Sequence, residues 1–224
     1  MVNQTATAYF HNLFEVLLGT QVTDRPGRAL SLEEGITRAV EMILQDGVPL
    51  RPDRSAALRK VMLIGNGGSA AIVSHMQNDL CKSVGVRAMV FNEPPLLTAL
   101  TNDYGYGCAF ERLVELWADP GDLMLAMSSS GQSENILRAA RAALERGCQV
   151  MTFSGFRAEN PLRKMGDLNF YVPIQAYGYV EVAHTALVHL LTDSAMMRCK
   201  GRGCPDGRAS LPETQSRAAY EGKE

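Results

Sequence analysis

Two side chains four positions apart, His75 and Asp79, follow a glycine-rich turn, Gly65-Asn66-Gly67-Gly68-Ser69. On a helix that spacing puts an imidazole and a carboxylate on one face, where they can pass a proton or hold a cation together. An apolar run, Val61-Met62-Leu63-Ile64, precedes the turn and reads as a buried strand, and a helical pattern starts directly after it. A strand entering a helix through glycines gathers backbone N–H groups and the positive helix end at one spot, which suits an anion such as a phosphate. Glycine is needed there because a Cβ would block both positive φ and close approach of the backbone. The stretch thus offers an anion cradle at its mouth and a His/carboxylate pair about two turns in.

A second polar turn, Ser128-Ser129-Ser130-Gly131-Gln132-Ser133, ends the apolar run Asp122–Met127 and opens the helical stretch Glu134–Arg146. Serine-rich helix starts are common, so one such turn says little. Two of them at the carboxyl ends of strands in one α/β sheet say more, because ligands of such sheets sit in the crevice outside those ends. The spacing excludes the usual nucleotide motifs: neither G-x-x-x-x-G-K-[ST] nor G-x-G-x-x-G occurs.

The elements that must position these turns alternate. Strands are expected near 61–65, 86–91, 122–128, 149–154 and 168–174. Helices are expected near 70–82, 94–101, 107–117, 133–146 and 159–165, with a long one near 181–198. Strands apolar throughout and separated by helices imply a parallel five-stranded sheet with helices on both faces, a three-layer α/β/α, flavodoxin-like fold. Ahead of it, residues 1–55 form a helical preface: a helix over about 4–19, a polar stretch Thr23–Leu30 with a Pro-Gly break, and a helix from a capping box at Ser31–Glu34. A Pro-rich linker spans 47–53. The main domain covers 56–198, and 199–224, rich in Gly, Arg, Ser and Glu, reads as a flexible tail.

With 224 residues, 46% of them hydrophobic, and a net charge of −2, the chain can bury a core and has no bulk attraction for nucleic acid or an anionic membrane. No apolar run is long enough to span a membrane, and the first ten residues lack a signal-peptide pattern, so the expectation is a cytoplasmic protein. Five scattered cysteines make neither a disulfide framework nor, at Cys199 and Cys204, a zinc set.

GNGGSAA at 65–71 together with SSSGQSENIL at 128–137 resembles a sugar isomerase (SIS) domain, and more narrowly the phosphoheptose isomerase family. That family pattern continues here as His75…Asp79, Asn102-Asp103 and Glu181-x-x-His184-x-x-x-x-His189. The resemblance implies a homotetramer, with active sites at subunit interfaces, that isomerises sedoheptulose 7-phosphate to D-glycero-D-manno-heptose 7-phosphate, often with zinc. By position it makes Asp79 the base and His189 the second acid/base, with His75, Asp79, Glu181 and His189 as the zinc set. Ser128, Ser129, Ser130 and Ser133 would hold the phosphate; Asn66, Gly67, Gly68, Ser69, Asn102, Asp103 and Glu181 would line the sugar. The alternatives are a non-catalytic phosphosugar- or protein-binding regulator, such as a replication-initiator binder, and an isomerase of another sugar phosphate.

Four positions depart from the family pattern. Asp79 replaces Glu, withdrawing the carboxylate by roughly 1.5 Å, and Glu181 replaces Gln, adding a negative charge that favours a divalent cation. Ser83 and Gly178 stand where the family usually carries Arg and Asp, which leaves the sugar open. Glu181 and His189 lie eight residues apart, about 12 Å along a continuous helix, so both cannot reach one zinc from one chain if that helix is unbroken. The reading favours a site shared by two subunits. His184 points away from both neighbours on a helical wheel and reads as structural; His11 is given no role. Met62, Met124, Met127 and Met151 read as core, and Arg138, Arg141 and Arg146 as a solvated face.

Overall fold

The computed structural model describes residues 5–44 and 59–200. In chain order the elements are α1 (Ala6–Leu18), β1 (Gln21–Asp24), β2 (Ala29–Leu30), α2 (Leu32–Leu44), β3 (Val61–Ile64), α3 (Gly68–Asp79), β4 (Ala88–Val90), α4 (Pro94–Tyr104), α5 (Ala109–Trp117), β5 (Leu123–Ser128), α6 (Glu134–Glu145), β6 (Gln149–Ser154), β7 (Leu168–Tyr171) and α7 (Tyr177–Lys200). The linker at 47–53 and the tail beyond residue 200 lie outside the described residues; Cys199 and Lys200, assigned to that tail from sequence, are the last residues of α7.

The sheet has seven strands in the order β2-β1-β7-β6-β5-β3-β4. The five expected strands are present and parallel to one another, but the sheet is mixed rather than purely parallel. β1 adds antiparallel to β7, from Gln21↔Tyr171 to Asp24↔Leu168, and β2 adds to β1. The Pro26-Gly27 break is the turn of this hairpin, closed by the Asp24 carboxylate, which accepts the Arg28 N–H at 2.8 Å. Four residues of mixed polarity are too few for a two-residue alternation to show.

Alternate residues of the parallel strands feed two cores. Val61, Leu63, Leu123, Leu125 and Phe153 pack with α2, α3 and α7, whereas Met62, Ile64, Met124 and Val150 pack with α5 and α6. Burial on both faces is why these strands read as apolar throughout. The capping box forms as read, with Ser31 and Glu34 exchanging backbone and side-chain bonds of 2.8 and 3.1 Å. The expected helix at 159–165 shrinks to a short turn over Leu162–Lys164, because Pro161 lacks an N–H and the Asn160 side chain takes the surrounding backbone groups. Arg138 is not part of a solvated face; it ties α6 to α5 through Glu111, its Nε donating at 2.8 Å. No helix among the described residues is long and apolar enough to cross a membrane.

At the amino ends of β3 and β5, the nearly buried Lys60 ammonium donates to Asp119 at 2.7 Å and to Asp122 at 2.6 Å, and Asp122 also accepts the Lys60 N–H. Burial alone would push the lysine pKa down; the two carboxylates outweigh it and hold the pKa above its ordinary value. His184 of α7 is 0% exposed. Its Nε2 meets the Ser154 carbonyl at 3.3 Å and its Nδ1 has no partner. Burial pushes this imidazole down to about 4, with the Ser154 carbonyl pulling weakly the other way. That is a core histidine, as its position on the helix suggested.

Two stability tests follow from these groups. Asp122→Ala strands a buried cation and should destabilise the chain by about 3–5 kcal/mol in urea unfolding; a loss under 1 kcal/mol would show that Asp119 suffices. For His184, the unfolded imidazole titrates near 6.5, so the unfolded chain binds a proton that the folded chain refuses between that pH and about 4. Its contribution is intact above about 6.5 and is lost as pH falls through that window, by about 3 kcal/mol in full. His184→Gln should therefore lose less stability than the wild type between pH 7 and 4.5; equal slopes would contradict the neutral, buried state.

Candidate functional site

The two turns read from sequence lie side by side, because β3 and β5 are adjacent parallel strands and both turns leave at their carboxyl ends. Gly67 caps α3 at φ +52, a backbone state that L side chains resist, and no side chain caps this helix start. A Cβ built on Gly68 would stand 2.5 Å from Glu181 Oε1, so a side chain there would have to displace that carboxylate. The Glu181 carboxylate of α7 therefore sits over the positive end of α3.

The serine turn is held from within and from behind. Ser128 Oγ lies 3.1 Å from Ser133 Oγ and accepts the Gly131 N–H at 3.2 Å, while Ser130 Oγ accepts the Gln132 N–H. Behind them, Gly155 N–H donates to the Ser129 carbonyl and Leu162 N–H to the Gly131 carbonyl. Asn160, 1% exposed, donates to Ser154 Oγ and to the Gly155 and Arg157 carbonyls. Ser128 and Ser129 are themselves nearly buried, so their hydroxyls stand in a preset frame.

Two amides join the turns. Asn66 Nδ2 donates to Asn135 Oδ1 at 2.9 Å and Asn135 Nδ2 returns the bond to Asn66 Oδ1 at 2.9 Å, with Tyr106 Oη donating to the same Asn66 oxygen at 2.6 Å. Asn66 and Tyr106 also border a cavity of about 290 Å³ that reaches Ser74, Asn92 and Phe110. A larger groove of about 440 Å³, at Arg25, Arg141 and Lys164, shares no residue with the turns.

Farther along α3 the helix pair α3/α7 assembles a second cluster. His75 Nε2 lies 3.3 Å and His189 Nδ1 3.9 Å from Asp79 Oδ2, and the two imidazole centroids are 4.9 Å apart. One donor atom from each residue falls within 4.8 Å of the others, and two imidazoles with one carboxylate are the donor set of a three-ligand zinc site with an open position. His75 and His189 are half exposed, Asp79 less so. Glu181 is not among them: α7 is unbroken from Tyr177 to Lys200, and its carboxylate lies at Gly68, the other end of α3. Asn102 and Asp103 are exposed at the end of α4 and bond to each other.

Three supporting residues escape sequence reasoning. Asn135 left a signal, since a polar side chain on the inward side of a helix start must find a partner. Asn160 and Tyr106 left none, because their partners come from other parts of the chain.

The sequence matches the SIS domain family over residues 31–155. It is 34% identical to the phosphoheptose isomerase of Pelobacter propionicus over 166 residues, covering 68% of this chain and 87% of the relative. It is 32% identical to that of Syntrophotalea carbinolica over 203 residues, covering 86% and 93%. The fold matches the structure of a phosphoheptose isomerase from Francisella tularensis with a TM-score of 0.69 at 24% identity, over 86% of this chain and 96% of that one. With the glycine and serine turns and the His75/Asp79/His189 cluster in place, the chain belongs to the SIS-domain phosphoheptose isomerase family.

Proposed function

We propose that this chain is an aldose–ketose isomerase converting sedoheptulose 7-phosphate to D-glycero-D-manno-heptose 7-phosphate. The observation that carries the reading is the juxtaposition, in a member of this family, of two phosphate-sized donor turns with the His75/Asp79/His189 cluster. Ser128, Ser129, Ser130 and Ser133 take the phosphate. Asn66, Gly67, Gly68, Ser69, Asn102, Asp103 and Glu181 take the sugar hydroxyls.

Asp79 removes the proton from C1 of the ketose and returns it to C2, with an enediol between the two steps. His189 takes the proton from the O1 hydroxyl and supplies one to O2, so the substrate leaves with its atoms rearranged and nothing added. His75, 3.3 Å from the Asp79 carboxylate, orients that group. His75, Asp79 and His189 fit zinc, which when bound supplies a Lewis acid that polarises the carbonyl. Asp79 carries one methylene fewer than the family's Glu, but both imidazoles reach it from its own chain, which favours a retuned site over a decayed one. The charged substrate goes with a cytoplasmic location.

The working unit on this reading is a homotetramer with its sites between subunits. Support comes from the unbroken α7, which keeps Glu181 about 12 Å from His189 along its axis, so a Glu181 that joins the cluster belongs to another copy. Support comes also from α1, which buries no residue in its own chain. It presents Phe10, Phe14 and Leu18 at 66%, 56% and 62% exposure along one stripe, apolar area that a second copy would cover.

NMR of sedoheptulose 7-phosphate with purified protein should show an aldoheptose phosphate, abolished by chelation and restored by zinc. Asp79→Asn should lower kcat by about 10²–10⁴-fold. Binding without turnover would move the chain to the regulator class; turnover of a different sugar phosphate alone would change the substrate. Phe14→Asp should reduce the particle mass seen by light scattering from four chains to fewer, and an unchanged tetramer would place the interface elsewhere.

A further inference from the structure

The amide pair between the two turns has a fixed sense, set by a backbone group. Asn135 Oδ1 accepts the Ile136 N–H at 3.0 Å, and a backbone amide can only donate, so that atom is the oxygen and Nδ2 faces Asn66. Asn135 Nδ2 must then meet an oxygen, which makes the facing atom of Asn66 its Oδ1 and leaves Tyr106 as donor to it. Both lone pairs of Asn66 Oδ1 are taken and one Nδ2 hydrogen is spent on Asn135. One N–H of the Asn66 side chain is left over. Asn135 is 3% exposed and Tyr106 46%, so one anchor is buried in the frame and the other stands at the cavity mouth.

We infer that Asn135 and Tyr106 are positioning residues that lock the Asn66 amide as a hydrogen-bond donor for a substrate oxygen and tie the glycine turn to the serine turn. The inference rests on Asn66 being a sugar-binding residue, as proposed above. A free asparagine could turn either its oxygen or its nitrogen to a hydroxyl; this one cannot, so it selects oxygens with lone pairs to offer. Because the same bonds join the two turns, the spacing between phosphate and sugar subsites is set before ligand arrives, which removes an ordering cost from binding.

The test is a double-mutant cycle read on both turnover and affinity for sedoheptulose 7-phosphate. Tyr106→Phe deletes one hydroxyl at a half-exposed site and should leave the melting temperature unchanged. It should raise KM and Kd by about three- to tenfold, with kcat within about twofold, the loss of one oriented hydrogen bond. In an Asn66→Ala background the same substitution should do nothing, because there is no amide left to orient. Asn135→Asp, which removes the donor facing Asn66 Oδ1, should cost more affinity than Tyr106→Phe, again only while Asn66 is present. Unchanged affinity in Tyr106→Phe, or an equal loss with and without Asn66, overturns the inference. A chain that binds the sugar phosphate without isomerising it would sink the isomerase reading while the affinity cycle still supports the inference. A wild type that binds no sugar phosphate overturns both.

Discussion

The parallel pairing of β3 with β5 is the constraint on which the site depends. Their register runs from Val61↔Leu123 to Ile64↔Ala126, so the glycine turn and the serine turn emerge next to each other at the carboxyl ends of these strands. Both strands are fully buried, and sliding one past the other would carry every side chain of a strand into the wrong core. At the far end Lys60 and Asp122 clamp the same two strands through backbone and side chain. The Asn66–Asn135 pair can form only because that register holds.

A second constraint is the packing of α3 along α7. Both helices run in the same sense past each other, so Gly68 meets Glu181 while Asp79 meets His189. The serine turn is braced: Ser128, Ser129, Asn135 and Asn160 are all nearly buried. The imidazoles of His75 and His189 are half exposed. Proton transfer at carbon is favoured where water is excluded. The braced serine turn thus contrasts with a cluster whose imidazoles face solvent.

The places where sequence reading and fold diverge share a cause. The hairpin of β1 and β2 was hidden because the four-residue β1 owes its existence to pairing with β7, far away in sequence, from Gln21↔Tyr171 to Asp24↔Leu168. The stretch at 159–165 had helical content, but Pro161 and the Asn160 side chain settle it as a turn that braces Gly131 and Ser154. Arg138 read as solvated because its partner, Glu111, sits on another helix. In each case a long-range contact outweighed a local preference.

From sequence alone came the five parallel strands, the two anion-binding turns and the His75/Asp79 pair, since these rest on local chemistry: apolar runs, glycines where a Cβ is excluded, and a four-residue helical spacing. The family pattern extended this to His189 and Glu181. Only the tertiary structure decided that His189 joins Asp79 while Glu181 goes to Gly68, because that depends on how two helices far apart in the chain are aligned. It alone decided which way the Asn66 amide points, because amide orientation is set by partners, and those partners, Asn135 and Tyr106, are 69 and 40 positions away.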